Sequence, residues 1–221
     1  MININNKQDC CGCSACAQRC PKQCISMIED EEGFLYPQVD TSKCVDCHLC
    51  EKVCPVINQD EARTPLKVYA AKNSDDEIRL KSSSGGIFTL LAEQTIKDGG
   101  VVFGARYDTE WNVIHDYTET IEGLSAFRGS KYVQSNINRS FFKVKTFLES
   151  GRNVLFSGTP CQVAGLKLFL RKNYDNLLTL EIVCHGVPSR NVWRNYLKEL
   201  IDLKKISNIK SINFRDKKYG W

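Results

Sequence analysis

The sequence lacks the features of membrane-spanning and secreted proteins. No segment of the 221 residues approaches the ~20 consecutive apolar residues that a membrane-spanning helix needs. The N-terminal residues 1–8 are polar and lack the apolar core of a signal peptide. We therefore expect a cytoplasmic protein without a membrane span.

The chain also lacks a cluster of basic side chains of the kind that binds nucleic acid. Its net charge of +4 is divided between residues 1–65, which carry −4, and the remainder, which carries +8 through scattered basic residues. We expect no nucleic-acid partner. The basic part could attract an acidic redox partner or bind an anionic cofactor. An ordinary solvated surface explains it equally well.

Cysteine is nearly absent from most of the chain but abundant at one end. Ten of the twelve cysteines lie before residue 60, and only Cys161 and Cys184 follow. This division and the polar linker from Asn58 to Pro65 predict one domain of residues 1–60 and a second of residues 66–221. Unpaired thiols agree with a reducing compartment.

The N-terminal cysteines contain two copies of the spacing C-x2-C-x2-C-x3-C-P. In this bacterial ferredoxin pattern, three closely spaced thiolates and a fourth from the other copy bind each [4Fe-4S] cluster. The first predicted cluster has the ligands Cys10, Cys13, Cys16 and Cys54. The second has the ligands Cys44, Cys47, Cys50 and Cys20.

Other interpretations of these cysteines are weaker. A disulfide framework would need an oxidising compartment, and structural zinc usually takes two C-x2-C pairs with a longer gap between them. Zinc remains the main alternative to the clusters. Cys11 and Cys24 fall outside the spacing, and we expect them to be small buried side chains near the clusters. His48 is expected to be a surface residue or a neighbour of the ligands.

Alternating strand and helix patterns accompany and follow the cysteines. Predicted strands span residues 25–28, 34–37, 67–72, 101–105, 111–117, 153–156, 177–183 and 209–214. Predicted helices span residues 87–97, 124–127, 141–148, 162–171 and 191–203. We therefore predict an α+β protein, in which a dicluster ferredoxin-like module precedes an α/β domain with a mixed, largely parallel sheet.

Two segments carry groups that bind anions. The residues from Ser82 to Gly86 precede a helix, where hydroxyls and free N–H groups form an anion seat, although an ordinary serine cap explains them equally well. The residues from Phe127 to Ser135 mix cationic, hydroxyl and aromatic side chains. This second segment fits a loop that holds a phosphate and stacks on a ring, or a solvated loop.

Two further turns join a strand to a helix, at the edge of the sheet where α/β proteins bind ligands. The turn from Ser157 to Gln162 places Cys161 at a helix start, where we expect a lowered thiol pKa. This cysteine is a candidate nucleophile, cluster ligand or packed side chain. The turn from Cys184 to Ser189 contains a Cys–His pair. Such a pair can be catalytic, but no other feature of the sequence supports catalysis here.

These motifs occur in an order that resembles one family. With Ser83 to Gly86, Gly129 to Ser135, Gly158 to Gln162 and Cys184 to Ser189, the chain resembles the coenzyme F-420 hydrogenase/dehydrogenase beta-subunit family, in its bacterial form with an N-terminal dicluster ferredoxin. Members are iron–sulfur flavoproteins that bind FAD and pass electrons between clusters and a two-electron acceptor. The resemblance implies flavin contacts at Ser83, Ser84, Gly85, Gly86, Ser130, Lys131, Tyr132, Gln134, Gly158, Thr159, Pro160 and Gln162.

The resemblance also implies a further role for Cys161 and Cys184. Related sequences carry a later C-x-x-C pair, and the four cysteines together hold another [4Fe-4S] cluster near the flavin. This sequence stops at Trp221, before such a pair, so we expect a C-terminally incomplete member. No catalytic acid or base is identified, and His185 is more simply a turn residue than a proton donor.

Two functions from different classes are compatible with the sequence. One is an iron–sulfur flavoprotein oxidoreductase that exchanges electrons with a redox protein such as ferredoxin and acts on an unidentified small-molecule substrate. The other is a non-catalytic electron-transfer subunit or adaptor that carries two [4Fe-4S] clusters. Flavin bound to the purified protein distinguishes the first from the second.

Overall fold

The computed structural model describes residues 1–4, 6–59, 64–204 and 208–217. Its helices are α1 (Ala15–Arg19), α2 (Leu49–Lys52), α3 (Asp76–Leu80), α4 (Ile87–Lys97), α5 (Ser140–Glu149), α6 (Pro160–Leu170) and α7 (Arg190–Lys204). Its strands are β1 (Ile25–Glu29), β2 (Leu35–Val39), β3 (Val101–Tyr107), β4 (Val113–Thr118), β5 (Val154–Gly158) and β6 (Leu177–Glu181). Two 3-10 helices span Lys7–Asp9 and Glu122–Phe127.

The strands form two separate sheets. β1 and β2 pair antiparallel as a hairpin, with Ile25 opposite Val39. The other four form one sheet in the order β4-β3-β5-β6, in which β3 runs antiparallel to β4 and parallel to β5, and β5 runs parallel to β6. The predicted fold class is confirmed. Below, the described residues up to 59 are called the module, and those from 64 onward the α/β domain.

Helices cover both faces of the four-stranded sheet, which explains the buried apolar runs of its central strands β3 and β5. Side chains alternate across the sheet, so that Val102 and Leu155 pack towards α4, whereas Phe103 and Phe156 pack towards α5 and α6. α6 begins directly after β5, and α4 ends just before β3 begins. The starts of α4 and α6 therefore lie at the same edge of the sheet, where β3 and β5 end.

The predicted helices are confirmed, with ends shifted by at most two residues. Residues 124–127 belong to a 3-10 helix rather than an α-helix. The helices α1, α2 and α3 were not predicted, because elements of five residues or fewer are too short to show a helical period.

Two predicted strands are wrong. Residues 67–72 join no sheet in the described chain; instead the N–H of the next residue, Asn73, donates to the carbonyl of Gly85 at 2.7 Å. Residues 209–214 form no strand either, and Phe214 packs on Trp193 with ring centroids 5.4 Å apart. Apolar side chains predicted both strands, but Val68 and Tyr69 are exposed, and Phe214 is covered by a helix side chain rather than by a neighbouring strand. Residues 60–63 of the predicted linker lie outside the described residues.

The module packs directly on the α/β domain. Cys13, Ala15 and Val53 lie in the largest buried cluster of the domain, which also contains Leu166 of α6. Gly165 of α6 approaches so closely that a Cβ atom built on it would lie 3.0 Å from the Cys13 sulfur. The first cysteine run is therefore held against α6, where a side chain at position 165 would require Cys13 to shift by a few tenths of an ångström.

A second contact joins the β1–β2 hairpin to α7. Arg190 and Arg194 donate to the carboxylate of Glu29 at 2.8 and 2.6 Å. The hydrogen bond from Arg194 is the main cause of a lowered Glu29 pKa. Because both ion pairs are partly buried, they fix the orientation of the hairpin more firmly than surface pairs would.

Candidate metal centres and cofactor site

The module cysteines line two cavities. The first cavity is lined by Cys10, Cys13, Cys16 and Cys54. The second cavity is lined by Cys20, Cys44, Cys47 and Cys50. The structure therefore groups the cysteines as the spacing predicts, with three from one run and the fourth from the other.

The two cysteine runs reach this arrangement through the same local backbone. Ser14 and His48 occupy equivalent places in the two runs, and each is the residue before a short α-helix. The backbone of both residues is in the left-handed region, at φ 62° and 56°. This turn redirects the chain between the second and third cysteines of each run. Each run can therefore wrap three thiols around one volume.

The cavities fit iron–sulfur cubanes. Apolar side chains such as Ile4 and Val56 in the first cavity, and Ile25 and Val39 in the second, complete the walls. In the described residues, no three His, Cys, Asp or Glu side chains converge closely enough to hold a single ion. A cubane bound at its corners needs a cavity between the thiols. The ligand role of the eight cysteines remains a prediction.

The two cavities differ in exposure. Cys13 of the first is 8% exposed within the core of the α/β domain. Cys47 of the second is exposed, and its neighbour Val45 is 58% exposed. Burial raises the pKa of the Cys16 thiol to about 12, so that loading the first cavity with metal must release protons.

Cys11 and Cys24 also line the cavities. The Cys24 sulfur lies 3.3 Å from that of Cys20, and the side chain is buried as predicted. Cys11 is half-buried, and its thiol interacts with those of Cys13 and Cys161. Exposed His48 hydrogen-bonds to Glu51 at 2.7 Å, as expected for a surface residue.

Two of the predicted flavin segments meet at the start of α4. The N–H of Ser130 donates to the Ser83 hydroxyl oxygen at 2.6 Å. Gly86 is the N-cap of α4 and has no side chain, so it provides no capping bond to the first N–H groups of the helix. Such N–H groups, at the positive end of the helix dipole, favour an anion.

Lys131 adds a positive charge beside these groups. Its ammonium donates to the carbonyl oxygens of Ala126 and Arg128 at 3.1 and 2.9 Å. Within the part of the chain that the structure describes, no carboxylate forms an ion pair with it, and burial lowers its pKa to about 8. A partly buried ammonium held by carbonyl oxygens is suited to bind a phosphate.

Other predicted flavin residues are placed differently. The Gln134 side chain is buried and accepts the N–H of Leu35 at 3.3 Å, so that it joins the domain to the module. The Ser84 carbonyl accepts a bond from Lys217 at 2.9 Å. The exposed Tyr132 ring makes an edge contact with Phe214.

A buried histidine supports the turn of residues 157–162, here called the β5–α6 turn. His115 of β4 is 3% exposed and stacks on Phe156. Its Nε2 lies 3.0 Å from the carbonyl oxygen of Ser157, and its Nδ1 lies 3.0 Å from the Ser135 hydroxyl. Because a carbonyl can only accept, Nε2 carries the proton and Nδ1 accepts from the hydroxyl.

The network continues into α6. Gln162 donates through Nε2 to the Ser135 oxygen at 2.8 Å and accepts the N–H of Thr159 through Oε1 at 3.0 Å. Both polar atoms of the Gln162 side chain are therefore used to hold the turn. Burial lowers the pKa of His115 to about 4, which keeps it neutral. Nothing in the local sequence singles out His115, because only strand pairing brings it beside residues 135 and 157.

The expectation of a lowered thiol pKa at Cys161 is wrong. The hydrogen bond with Cys11 and then burial raise this pKa, and they outweigh the helix start. Cys184 and His185 lie on an exposed segment after β6, where the Cys184 sulfur accepts the N–H of Gly186 at 3.4 Å. No contact between Cys161 and Cys184 is seen in the described chain.

Models of three protein families match the chain in succession. A 4Fe-4S dicluster domain matches residues 9–58. The N-terminal part of the coenzyme F420 hydrogenase/dehydrogenase beta subunit matches residues 68–141, and its C-terminal part matches residues 151–221. The chain belongs to this beta-subunit family. The resemblance inferred from the motifs is thereby confirmed, and the dicluster domain supports iron–sulfur clusters as cofactors.

Individual relatives of the chain agree with this family. A subunit of the F(420)H(2) dehydrogenase of Methanosarcina mazei is 22% identical over 185 residues, which cover 78% of this chain and 51% of the relative. The coenzyme F420-dependent sulfite reductase of Methanocaldococcus jannaschii is 24% identical over 215 residues, 92% of this chain and 32% of the relative. A 7Fe ferredoxin of Hydrogenibacillus schlegelii is 35% identical over 65 residues, 28% of this chain and 77% of the ferredoxin.

The chain thus spans about half of the first of these relatives and about a third of the second. It combines a 4Fe-4S dicluster domain with the two parts of this oxidoreductase family. In the described residues, no helix combines the length and the apolar character needed to cross a membrane.

Proposed function

We propose that this beta-subunit chain is an iron–sulfur flavoprotein oxidoreductase. Residues 1–60 bind two [4Fe-4S] clusters through the eight cysteines of the two cavities, and residues 66–221 bind FAD. The clusters supply one-electron transfer, and the flavin links it to two-electron oxidation or reduction of a small-molecule substrate. The protein works in the cytoplasm with a redox protein such as ferredoxin and without nucleic acid. In a chain with further ligands, Cys161 and Cys184 hold another cluster.

One observation carries the flavin proposal. The Ser83–Ser130 hydrogen bond joins two segments at the start of α4, and the Lys131 ammonium lies 5.9 Å from the ring of Tyr107, at the edge of the sheet where β3 ends. This edge is the place where open α/β sheets bind nucleotides. An ammonium and helix N–H groups fit the diphosphate of FAD, which carries two negative charges.

The residues of the site divide the work of binding. Ser83 and Ser130 hold the two anion-binding segments together, and Lys131 supplies the charge. His115 and Gln162 keep the β5–α6 turn in one conformation without titrating near neutral pH. The protein therefore presents a preformed site and loses little order on binding.

Flavin analysis tests the proposal. Protein purified and denatured without oxygen should release about one FAD per chain, identified by its chromatographic retention and mass. FMN in place of FAD would contradict the diphosphate assignment. A brown protein with iron and sulfide that neither contains nor binds flavin would instead support a non-catalytic electron-transfer subunit.

Lys131 should matter for flavin affinity. In the variant Lys131→Met, we expect FAD to bind at least ~10-fold more weakly, because a charge-assisted hydrogen bond to phosphate contributes about 1.5–3 kcal/mol. Fluorescence quenching of added FAD measures the dissociation constant. Lys97→Met, at the exposed far end of α4, should bind as the unchanged protein does. Equal affinity in both variants would remove Lys131 from the site.

The same lysine predicts a pH dependence. Its pKa of about 8 in the free protein means that it loses its proton as the pH rises from 7 to 9. A bound phosphate raises this pKa, so the affinity should be highest below pH 8 and fall above it, by at most ~10-fold per pH unit. Lys131→Met should lack this decline. A decline of equal size in the variant would assign it to another group.

A further inference from the structure

Gln134 connects the loop that carries Lys131 to the module. This loop, residues 128–135, contains no helix or strand, so its conformation depends on individual contacts. At one end, the N–H of Ser130 is held by a hydroxyl at the start of α4. At the other end, the buried Gln134 side chain accepts the N–H of Leu35, the first residue of β2, at 3.3 Å. Lys131 therefore lies between two fixed points, and one of them belongs to the module.

The contact of Gln134 belongs to a closed ring of hydrogen bonds. The Gln134 N–H donates to the carbonyl oxygen of Pro188 at 3.2 Å, shortly before α7 begins. The next residue, Ser189, donates through its hydroxyl to the carbonyl oxygen of Glu32, in the turn between β1 and β2. Leu35, at the end of that turn, donates back to the Gln134 side chain. The module, the start of α7 and the loop are thus joined in one ring.

The ring has little freedom to deform. The side chains of Ser189 and Gln134 are buried, so water has little access to replace their bonds. A Cβ atom built on Gly33 of the hairpin turn, at φ 84°, would overlap the Cβ atom of Asn191 in α7. The hairpin turn and α7 are therefore in close contact, and Gln134 is held from both sides.

We propose that Gln134 is a positioning residue through which the docked module holds the loop in the conformation that binds the FAD diphosphate. Only two residues separate Gln134 from Lys131, so a shift of one displaces the other. A loop that is fixed before binding loses less freedom when the cofactor binds, and the affinity is higher. The inference rests on the proposed function, and it replaces the direct flavin contact that the resemblance implies for Gln134.

Titration of the full 221-residue chain with FAD, followed by fluorescence quenching, tests the proposal. Gln134→Met keeps the length of the side chain but removes the acceptor, and it should bind FAD roughly 3- to 10-fold more weakly, the effect of one hydrogen bond. In the Lys131→Met background the same change should have little further effect, because Gln134 acts through Lys131. An affinity equal to that of the unchanged protein, or fully additive losses, would overturn the proposal.

Arg194→Met is the matched control at the same contact between module and domain. It removes one of the two arginines that bind Glu29 but lies outside the ring of hydrogen bonds. Its affinity for FAD should equal that of the unchanged protein. A loss as large as that of Gln134→Met would assign the effect to general loosening of the module and would refute the specific role of Gln134.

A measurement on the unchanged protein does not depend on the folding of any variant. Because coupling between two sites is reciprocal, bound FAD should strengthen the contact of the module with the loop. Hydrogen–deuterium exchange should therefore slow in residues 30–39 as well as in the loop when FAD is added. Slowing in the loop alone would overturn the inference while leaving the proposed function intact, whereas a protein that binds no FAD would overturn both.

Discussion

Replacing Cys20 should alter the cluster of the second cysteine run, although Cys20 belongs to the first run. Cys20 lines the second cavity with Cys44, Cys47 and Cys50. In Cys20→Ala, we expect iron to fall from about eight to about four atoms per chain. The electron paramagnetic resonance signal of the surviving cluster should match the signal that survives in Cys44→Ala and differ from the one that survives in Cys10→Ala.

The converse holds for Cys54, which comes from the second run but lines the first cavity. Cys54→Ala should lose the same signal as Cys10→Ala. Cys24→Ala and Cys11→Ala should keep about eight iron atoms, since neither is a predicted ligand. If an alanine variant loses both clusters, the serine variant keeps an oxygen ligand and still reports which signal changes. If Cys20→Ser and Cys10→Ser change the signal of the same cluster, the crossed assignment is contradicted.

His115→Ala should strongly destabilise the α/β domain. The change removes two buried hydrogen bonds, leaves the Ser135 hydroxyl and the Ser157 carbonyl without their partner, and opens a cavity beside Phe156. We expect a loss of about 3–5 kcal/mol. Urea unfolding followed by tryptophan fluorescence measures it, because all three tryptophans lie after residue 110.

The control for this variant is His185→Ala, at an exposed position outside the network. It should leave the urea midpoint unchanged. In the unchanged protein, the pKa of His115 is about 4 when folded and 6.5 when unfolded, so the stability that neutral His115 contributes is present above pH 6.5 and is lost towards pH 4. His115→Ala should lack this pH dependence of the unfolding free energy. A His115→Ala midpoint within error of the His185→Ala midpoint would contradict the structural role.

Local patterns predicted the cysteine grouping and most of the fold. Cysteine spacing fixes which thiols can reach one cubane, and period-two or helical apolar patterns located the sheet and its covering helices. The strands predicted at residues 67–72 and 209–214 failed because an apolar pattern does not show whether a neighbouring strand is there to pair with. Val68 and Tyr69 are exposed, and Phe214 is covered by the ring of Trp193.

The support of the candidate site depends on tertiary contacts that no local pattern contains. His115 lies on one strand, Ser135 on a loop and Ser157 at the end of another strand, and pairing of β4, β3 and β5 brings them together. Likewise, the raised pKa of Cys161 depends on Cys11, 150 residues earlier in the chain. The order of the motifs nevertheless identified the family, because residues that take part in several such contacts lie within those motifs.

Iron and acid-labile sulfide, counted on protein prepared without oxygen, test the account most directly. Two cubanes in the two cavities predict about eight iron and eight sulfide per chain, with broad brown absorbance that disappears on acidification. One or two zinc ions per chain without acid-labile sulfide would contradict the assignment of both cavities to iron–sulfur clusters.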